Sequence, residues 1–161
     1  MRILLANKFY YRRGGDCIYT MNLEKLLKAK GHEVAVYAMQ YPENEQSEWS
    51  RYWPANMTGL RAVVRPFGVR QVVRGFSRLI DDFRPDVVHL NNIHSQLSPV
   101  IAEIAHSKGV RVVWTLHDSK LVCPCYTCSR KIGGKLTWCT ECFTDKTAVI
   151  RHRCMHGSLP G

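Results

Sequence analysis

Several features are missing from this 161-residue chain, and each absence narrows what it does. No apolar run approaches the roughly 20 residues that span a bilayer. The opening segment MRILLANK breaks its apolar stretch at Asn7 and Lys8, too soon for the core of a secretory signal. Neither an internal repeat nor a low-complexity tract is present, which sets aside solenoids and disordered linkers. Acidic residues are scarce, with 13 Asp and Glu against 23 Lys and Arg, a formal charge of +10. That imbalance favours an anionic partner: phosphate groups, nucleic acid or an acidic membrane. Without an export signal the expected compartment is the cytosol. There, seven cysteines read as metal ligands or free thiols rather than disulfides.

What is present centres on Arg111 to Pro124, RVVWTLHDSKLVCP. Val112 to Leu116 is a short apolar, β-branched run of the kind that forms a fully buried strand. It ends in His117 and Asp118, and in a parallel α/β sheet ligands bind beyond the carboxyl ends of strands. This strand reads as the central one, with His117 and Asp118 as candidate catalytic residues.

Taken in order, Ile3 to Ala6 reads as a first buried strand, followed by a loop with the pair Gly14 and Gly15. Asp16 is the expected N-cap of a helix to about Lys30, with Ile18, Met21, Leu23, Leu26 and Leu27 on its apolar side. Gly31 suits its end, and Val34 to Ala38 reads as a second strand. Strand, glycine loop, helix and strand make a βαβ unit with a parallel crossover. The loop can offer backbone N–H groups to a phosphate beside Arg12 and Arg13; alternatively the glycines only permit a turn, since the full G-x-G-x-x-G fingerprint is absent.

Tyr41 to Gly59 is polar and aromatic without period, either a substrate-contacting loop or a disordered one. Pro66 to Arg84 reads as a helix, with Val69, Val72, Val73, Phe76, Leu79, Ile80 and Phe83 inward. Arg70, Arg74 and Arg78 line its other face, a solvated face or an anionic-membrane contact. Val87 to Leu90 is the next strand, and Asn91-Asn92-Ile93-His94 follows at its carboxyl end. Asn92 and His94 are cleft candidates there; His94 equally suits a bond to its own turn. Ser98-Pro99 opens a helix to about Ser107. The architecture expected is α/β, a Rossmann-like doubly wound parallel sheet over residues 1–119, followed by a cysteine-rich segment over 120–156 and a tail over 157–161.

The segments MRILLANKFYYRRGGD, GHEVAVYAMQYPEN, RPDVVHLNNIHSQLSP and VVWTLHDSKLVCP, in that order, resemble the N-terminal domain of family 4 retaining glycosyltransferases of the GT-B type. The resemblance implies one half of a two-domain enzyme. This half would face the acceptor, a carbohydrate or lipid-linked molecule such as serves cell-surface polysaccharide synthesis. A C-terminal half beyond Gly161 would bind the nucleotide-sugar donor. By position, Gly14 and Gly15 match the loop approaching the donor's phosphate and sugar, and His117 matches the histidine against the donor sugar. Asp118 and His94 match neighbouring cleft positions. Two departures stand out: Ser119 replaces a frequent aromatic residue, and Cys125 follows Cys-Pro where relatives have another residue. The implied location is cytoplasmic, peripheral at the inner membrane face.

Six of the seven cysteines lie in the last third. Cys125-x-x-Cys128 and Cys139-x-x-Cys142, ten residues apart, can supply four thiolates at about 2.3 Å from one structural zinc. The usual separation of such pairs is about 15 to 20 residues. Cys123, Cys154, His152 and His156 are alternative ligands, and the resemblance favours Cys123, Cys139, Cys142 and Cys154. Cys17 reads as a core residue. The competing function is a zinc-bearing basic module on anionic membrane or nucleic acid; no nucleic-acid reader motif appears.

Overall fold

A computed structural model of the chain describes residues 1–56, 70–94 and 96–154. They belong to two compact units, Met1–Thr115 and Leu116–Gly161. The first is an α/β sheet unit. Its strands β1 (Arg2–Ala6), β2 (Glu33–Tyr37), β3 (Val87–Leu90) and β4 (Arg111–Trp114) form one parallel sheet in the order β2-β1-β3-β4. Helices α1 (Gly15–Ala29), α2 (Arg70–Phe83) and α3 (Val100–Ser107) connect them.

Alternate side chains of β1 feed two cores. Ile3, Leu5 and Val34 pack with Leu23 and Leu27 of α1. Leu4, Ala6, Ala35 and Tyr37 join Val72, Phe76 and Leu79 of α2 and Ile101 and Ala105 of α3. Right-handed crossovers explain the layering. The chain moves one way from β1 to β2 and the other way from β3 to β4, so the connecting helices fall on opposite faces. The sheet is doubly wound, as the pattern of elements predicts.

Several local expectations are corrected. β4 is an edge strand rather than the central one, and Val113 is 50 % exposed. An apolar run reports that a segment prefers a strand, but not how many neighbours that strand has. Gly14, not Asp16, is the N-cap of α1. Its inward face is also rotated from the expected one: Cys17, Thr20, Met21 and Glu24 are buried, while Ile18 and Leu26 are exposed. The rotation follows from Glu24, whose carboxylate accepts a 2.7 Å hydrogen bond from the buried Tyr10 hydroxyl and pairs with Lys28. Burial and the nearby Glu24 carboxylate push the Tyr10 phenol far above its ordinary range.

Between Tyr41 and Trp53 the excursion after β2 packs against the core of the sheet unit. It forms a 3₁₀ turn at Glu48–Tyr52 and buries Trp53, whose indole donates to the Val36 carbonyl at 2.8 Å. Residues 57–59 of that excursion lie outside the described residues. So do Pro66 to Val69 of the expected helix, together with His156 and the tail. The arginines of α2 at positions 70, 74 and 78 are exposed along one face.

Gly75 shows why α2 can lie so close. A Cβ built there would collide with the backbone oxygen of Tyr52 and come within 3.0 Å of the Tyr37 hydroxyl. Inside an exposed helix, Gly→Ala normally stabilises by up to about 1 kcal/mol. Here we expect the sign to reverse: Gly75→Ala should destabilise by about 1–3 kcal/mol, the range for overpacking. Urea unfolding checks this, and a stabilised Gly75→Ala protein would contradict the packing described.

Candidate active site

The site is built at the carboxyl edge of the parallel sheet. Strand order reverses between β1 and β3, and in open α/β sheets such a switch point leaves a crevice for ligands. One side chain organises that edge. Asn7 is fully buried; its Oδ1 accepts the Asn92 N–H at 3.1 Å and its Nδ2 donates to the Phe9 carbonyl at 2.9 Å. The same amide lies 3.8 Å from the Cys17 Sγ on α1. Its backbone N–H donates to Tyr37, and Lys8 donates to the Asn92 carbonyl. The ends of β1, β2 and β3 are thus joined through one residue. In the sequence Asn7 marks only the end of an apolar run. A buried amide directly after a buried strand, at a carboxyl end, was the available signal.

The glycine loop enters α1 from this edge. Gly14 has φ −143° and ψ 179°, extended backbone that any residue adopts, and Gly15 is already helical. A tight turn therefore does not demand either glycine. A Cβ on Gly15 would meet nothing within 4 Å, so the space before the helix N-terminus is open. Open space at a ring of unpaired N–H groups suits the close approach of a ligand's oxygen atoms. Asp16, in the first turn, opposes that approach by its charge.

Asn92 holds its place through its backbone. His94 is nearly buried and stacks on Trp114 with ring centroids 5.3 Å apart and planes at 28°. The Trp114 indole in turn donates to the Asn91 carbonyl at 3.0 Å. These contacts make His94 part of the wall between β3 and β4. Beside β1 and β2, Phe9, Tyr11 and Tyr41 form an aromatic cluster with centroid separations of 5.0 to 6.2 Å, and the Arg13 guanidinium lies 4.4 Å from the Phe9 ring.

His117 and Asp118 fall in the second unit, just after Leu116. Both are half-buried. Asp118 Oδ1 accepts the Lys120 N–H at 2.9 Å, which shapes the turn leaving the strand.

The second unit contains strands β5 (Ser129–Ile132) and β6 (Lys135–Trp138), paired antiparallel, a 3₁₀ turn at Glu141–Phe143 and the single-turn helix α4 (Ala148–Arg151). Glu141 binds Arg130 at 2.6 Å and His152 at 2.7 Å, and these partners hold its carboxyl below the ordinary range. Six cysteines share this unit. Burial raises the Cys142 and Cys154 thiols, and both feel the charges of Cys123, Cys125 and Cys139. Burial would raise Cys123 as well, but hydrogen bonds from Cys125 and Cys128 outweigh it and lower its pKa.

Proximity of thiols does not make them a zinc site. The Cys123 and Cys125 sulfurs lie 3.2 Å apart, whereas two thiolates on one tetrahedral zinc lie roughly 3.8 Å apart. Among the described residues no group of three or more Cys, His, Asp or Glu is arranged to hold a metal ion. The expectation of structural zinc on Cys123, Cys125, Cys128, Cys139, Cys142 and Cys154 thus finds no support among the described residues, nor does a zinc-bearing binding module. The paired C-x-x-C spacing brings the thiols together without fixing their directions.

A sequence profile, the glycosyl transferase 4-like domain, matches residues 14–142 and so runs from the glycine loop to Cys142. The chain belongs to the glycosyl transferase 4-like family. A protein of Klebsiella pneumoniae, described as an uncharacterized 42.6 kDa protein in the cps region, is 27 % identical over 145 residues. That alignment covers 77 % of this chain and 38 % of the relative, so the chain spans well under half of the relative's length. Among solved structures, the catalytic domain of starch synthase IV from Arabidopsis thaliana, bound to ADP and acarbose, is similar at 16 % identity and a TM-score of 0.41. That match covers 73 % of this chain and 34 % of the synthase domain.

Two substitutions separate the structural from the ligand-facing roles in this family member. Asn7→Ala should cost about 1–3 kcal/mol, the range for leaving a buried N–H without its partner. Loss of amide protection at Asn92 is the specific readout, and unchanged exchange there would contradict the clamp. Gly15→Ala, by contrast, should leave stability unchanged or raise it by up to about 1 kcal/mol, because the methyl meets nothing. For an anion approaching the α1 N-terminus, such as inorganic phosphate, the same methyl should weaken binding. Loss of stability without loss of binding would reverse the assignment.

Proposed function

We propose that this chain is the acceptor-side half of a retaining glycosyltransferase that takes its sugar from a nucleotide diphosphate donor. The observation that carries the reading is the family match beginning at the glycine loop, where the Gly15 position leaves a helix N-terminus open to a ligand. In the proposed reaction the bond from the sugar's anomeric carbon to the diphosphate breaks. An acceptor hydroxyl oxygen takes its place on the same face, and its proton passes to the departing diphosphate oxygen. Negative charge grows on the departing diphosphate, and donors fixed before reaction stabilise it better than water that must reorient. Backbone N–H groups at Gly15 and the start of α1 are such donors. The proposed role of His117 is a polar contact to the donor sugar; those of Asn92 and His94 are to shape the acceptor side. The acceptor is a carbohydrate or a lipid-linked sugar, and the setting is the cytoplasmic face of a membrane.

One wall of a cleft cannot hold donor and acceptor together, and positioning supplies much of the rate in group transfer. Residues 1–161 by themselves should therefore bind a nucleotide sugar only weakly, at about millimolar Kd, and should not transfer sugar. Fusing or adding a matching donor-binding domain should restore transfer. In that restored enzyme His117→Ala should lower kcat by about a hundredfold, the scale for removing one fixed polar contact to the reacting group. Sugar transfer by the chain alone, or full turnover by the His117→Ala enzyme, would sink this reading.

A further inference from the structure

The β5–β6 hairpin has the composition of an interfacial anchor. Its loop is Gly133-Gly134 with φ of +56° and +81°, a two-residue turn that needs glycine and places Ile132 opposite Lys135 at the tip. Ile132 is 50 % exposed, Leu136 73 % and Trp138 70 %. Cross-strand pairing puts Lys131 beside Leu136, so each face of the hairpin end carries an apolar residue and a lysine. Neither lysine is ion-paired among the described residues, because Glu141 and Asp145 are taken by Arg130, Arg151 and His152. Within the same unit, a cavity of about 660 Å³ is lined by Lys131, Ile132, Leu136, His152 and Arg153, again mixing cations with apolar side chains.

Large apolar side chains clustered on a surface mark an interaction site. Residues 116–161 hold seven Lys and Arg against three Asp and Glu, so the matching surface is anionic. Both faces of the hairpin end are exposed, which suits insertion into a soft interface better than docking on a flat protein surface. Tryptophan favours the boundary of headgroups and acyl chains, and lysine stems lie along apolar surface while their amines stay among phosphates. We propose that this hairpin docks the protein on an anionic bilayer, with Ile132, Leu136 and Trp138 at the acyl boundary and Lys131 and Lys135 among the lipid phosphates. The inference does not depend on glycosyl transfer, and it assigns the membrane contact to the hairpin rather than to the arginine face of α2.

The test uses the full chain of 161 residues and vesicles of phosphatidylcholine, with or without phosphatidylglycerol. Co-sedimentation should need the anionic lipid and weaken with added salt. The double variant Leu136→Ser, Trp138→Ser should bind at least about tenfold more weakly. Its melting should match the parent, because both side chains are exposed. Replacing Arg70, Arg74 and Arg78 with glutamine should leave binding largely intact. Brominated lipid should quench tryptophan emission in the parent and much less in Trp138→Phe, a readout that stands even if the double variant fails to fold. Four results overturn the proposal: no binding to anionic vesicles; equal binding by the double variant; binding lost only with the arginines; or a parent dimer that the hairpin changes convert to monomer.

Discussion

The carboxyl edge of the sheet depends on the buried amide of Asn7. A strand that ends inside a protein leaves backbone groups without ladder partners, and each costs free energy unless something else bonds it. Here one side chain accepts from the β3 end and donates to the β1 loop, while the adjoining backbone bonds β2 and β3. Because the amide is both donor and acceptor, no apolar residue could replace it. An aspartate would lack the donor directed at Phe9. The position of the glycine loop, and with it the open end of α1, follows from this clamp.

The sheet's two faces are held differently. On the α1 face the apolar contribution is modest, with Ile3, Leu5 and Val34 meeting Leu23 and Leu27, and the buried Tyr10–Glu24 hydrogen bond fixes the helix's rotation. On the α2 face the contact is large and aromatic: Phe76 meets Tyr37 edge-on at 5.1 Å, and the Tyr37 hydroxyl donates to the Val72 carbonyl at 2.8 Å. The close approach allowed by Gly75 brings the excursion after β2 against α2. What looked like a loose segment is consequently a wall, with Trp53 buried against β2.

The four strands and three helices of the sheet unit were legible because each is a short β-branched run or an amphipathic stretch bounded by Gly, Pro or Asp. The edge position of β4 was not, since neighbours in a sheet come from parts of the chain far apart in sequence. The rotation of α1 was hidden for a similar reason: Glu24 reads as a surface residue until Tyr10 arrives from the preceding loop. At the candidate site the glycine pair was visible, but its meaning changed. Neither backbone conformation requires glycine, so empty space rather than turn geometry is what the Gly15 position preserves. The cysteine spacing led to a zinc expectation because spacing reports how near thiols can come, while ligation depends on where they point. The β5–β6 hairpin went unread because two four-residue strands with little burial leave almost no periodic signal.

That weak signal has a physical counterpart. Among described residues of the second unit, only Cys123, Cys128, Cys142 and Ala148 are buried apolar groups. A segment of this size does not order itself on so small a core without staples or partners. The ion pairs around Glu141 are partly open to solvent, which screens them, so each contributes little. The remaining apolar surface, on Leu121, Tyr126, Phe143, Ile150 and the hairpin, faces outward. In the sheet unit the balance is the reverse, with β1 and β2 almost wholly buried and helices on both faces. A chain that places its firm core under the glycine loop and its least-buried apolar residues in the cysteine-rich unit has divided its tasks physically. Buried strands β1 and β2 and the helices packed on them give the glycine loop a fixed frame. The cysteine-rich unit instead keeps large apolar side chains beside its cations at the surface, the composition of an interaction face.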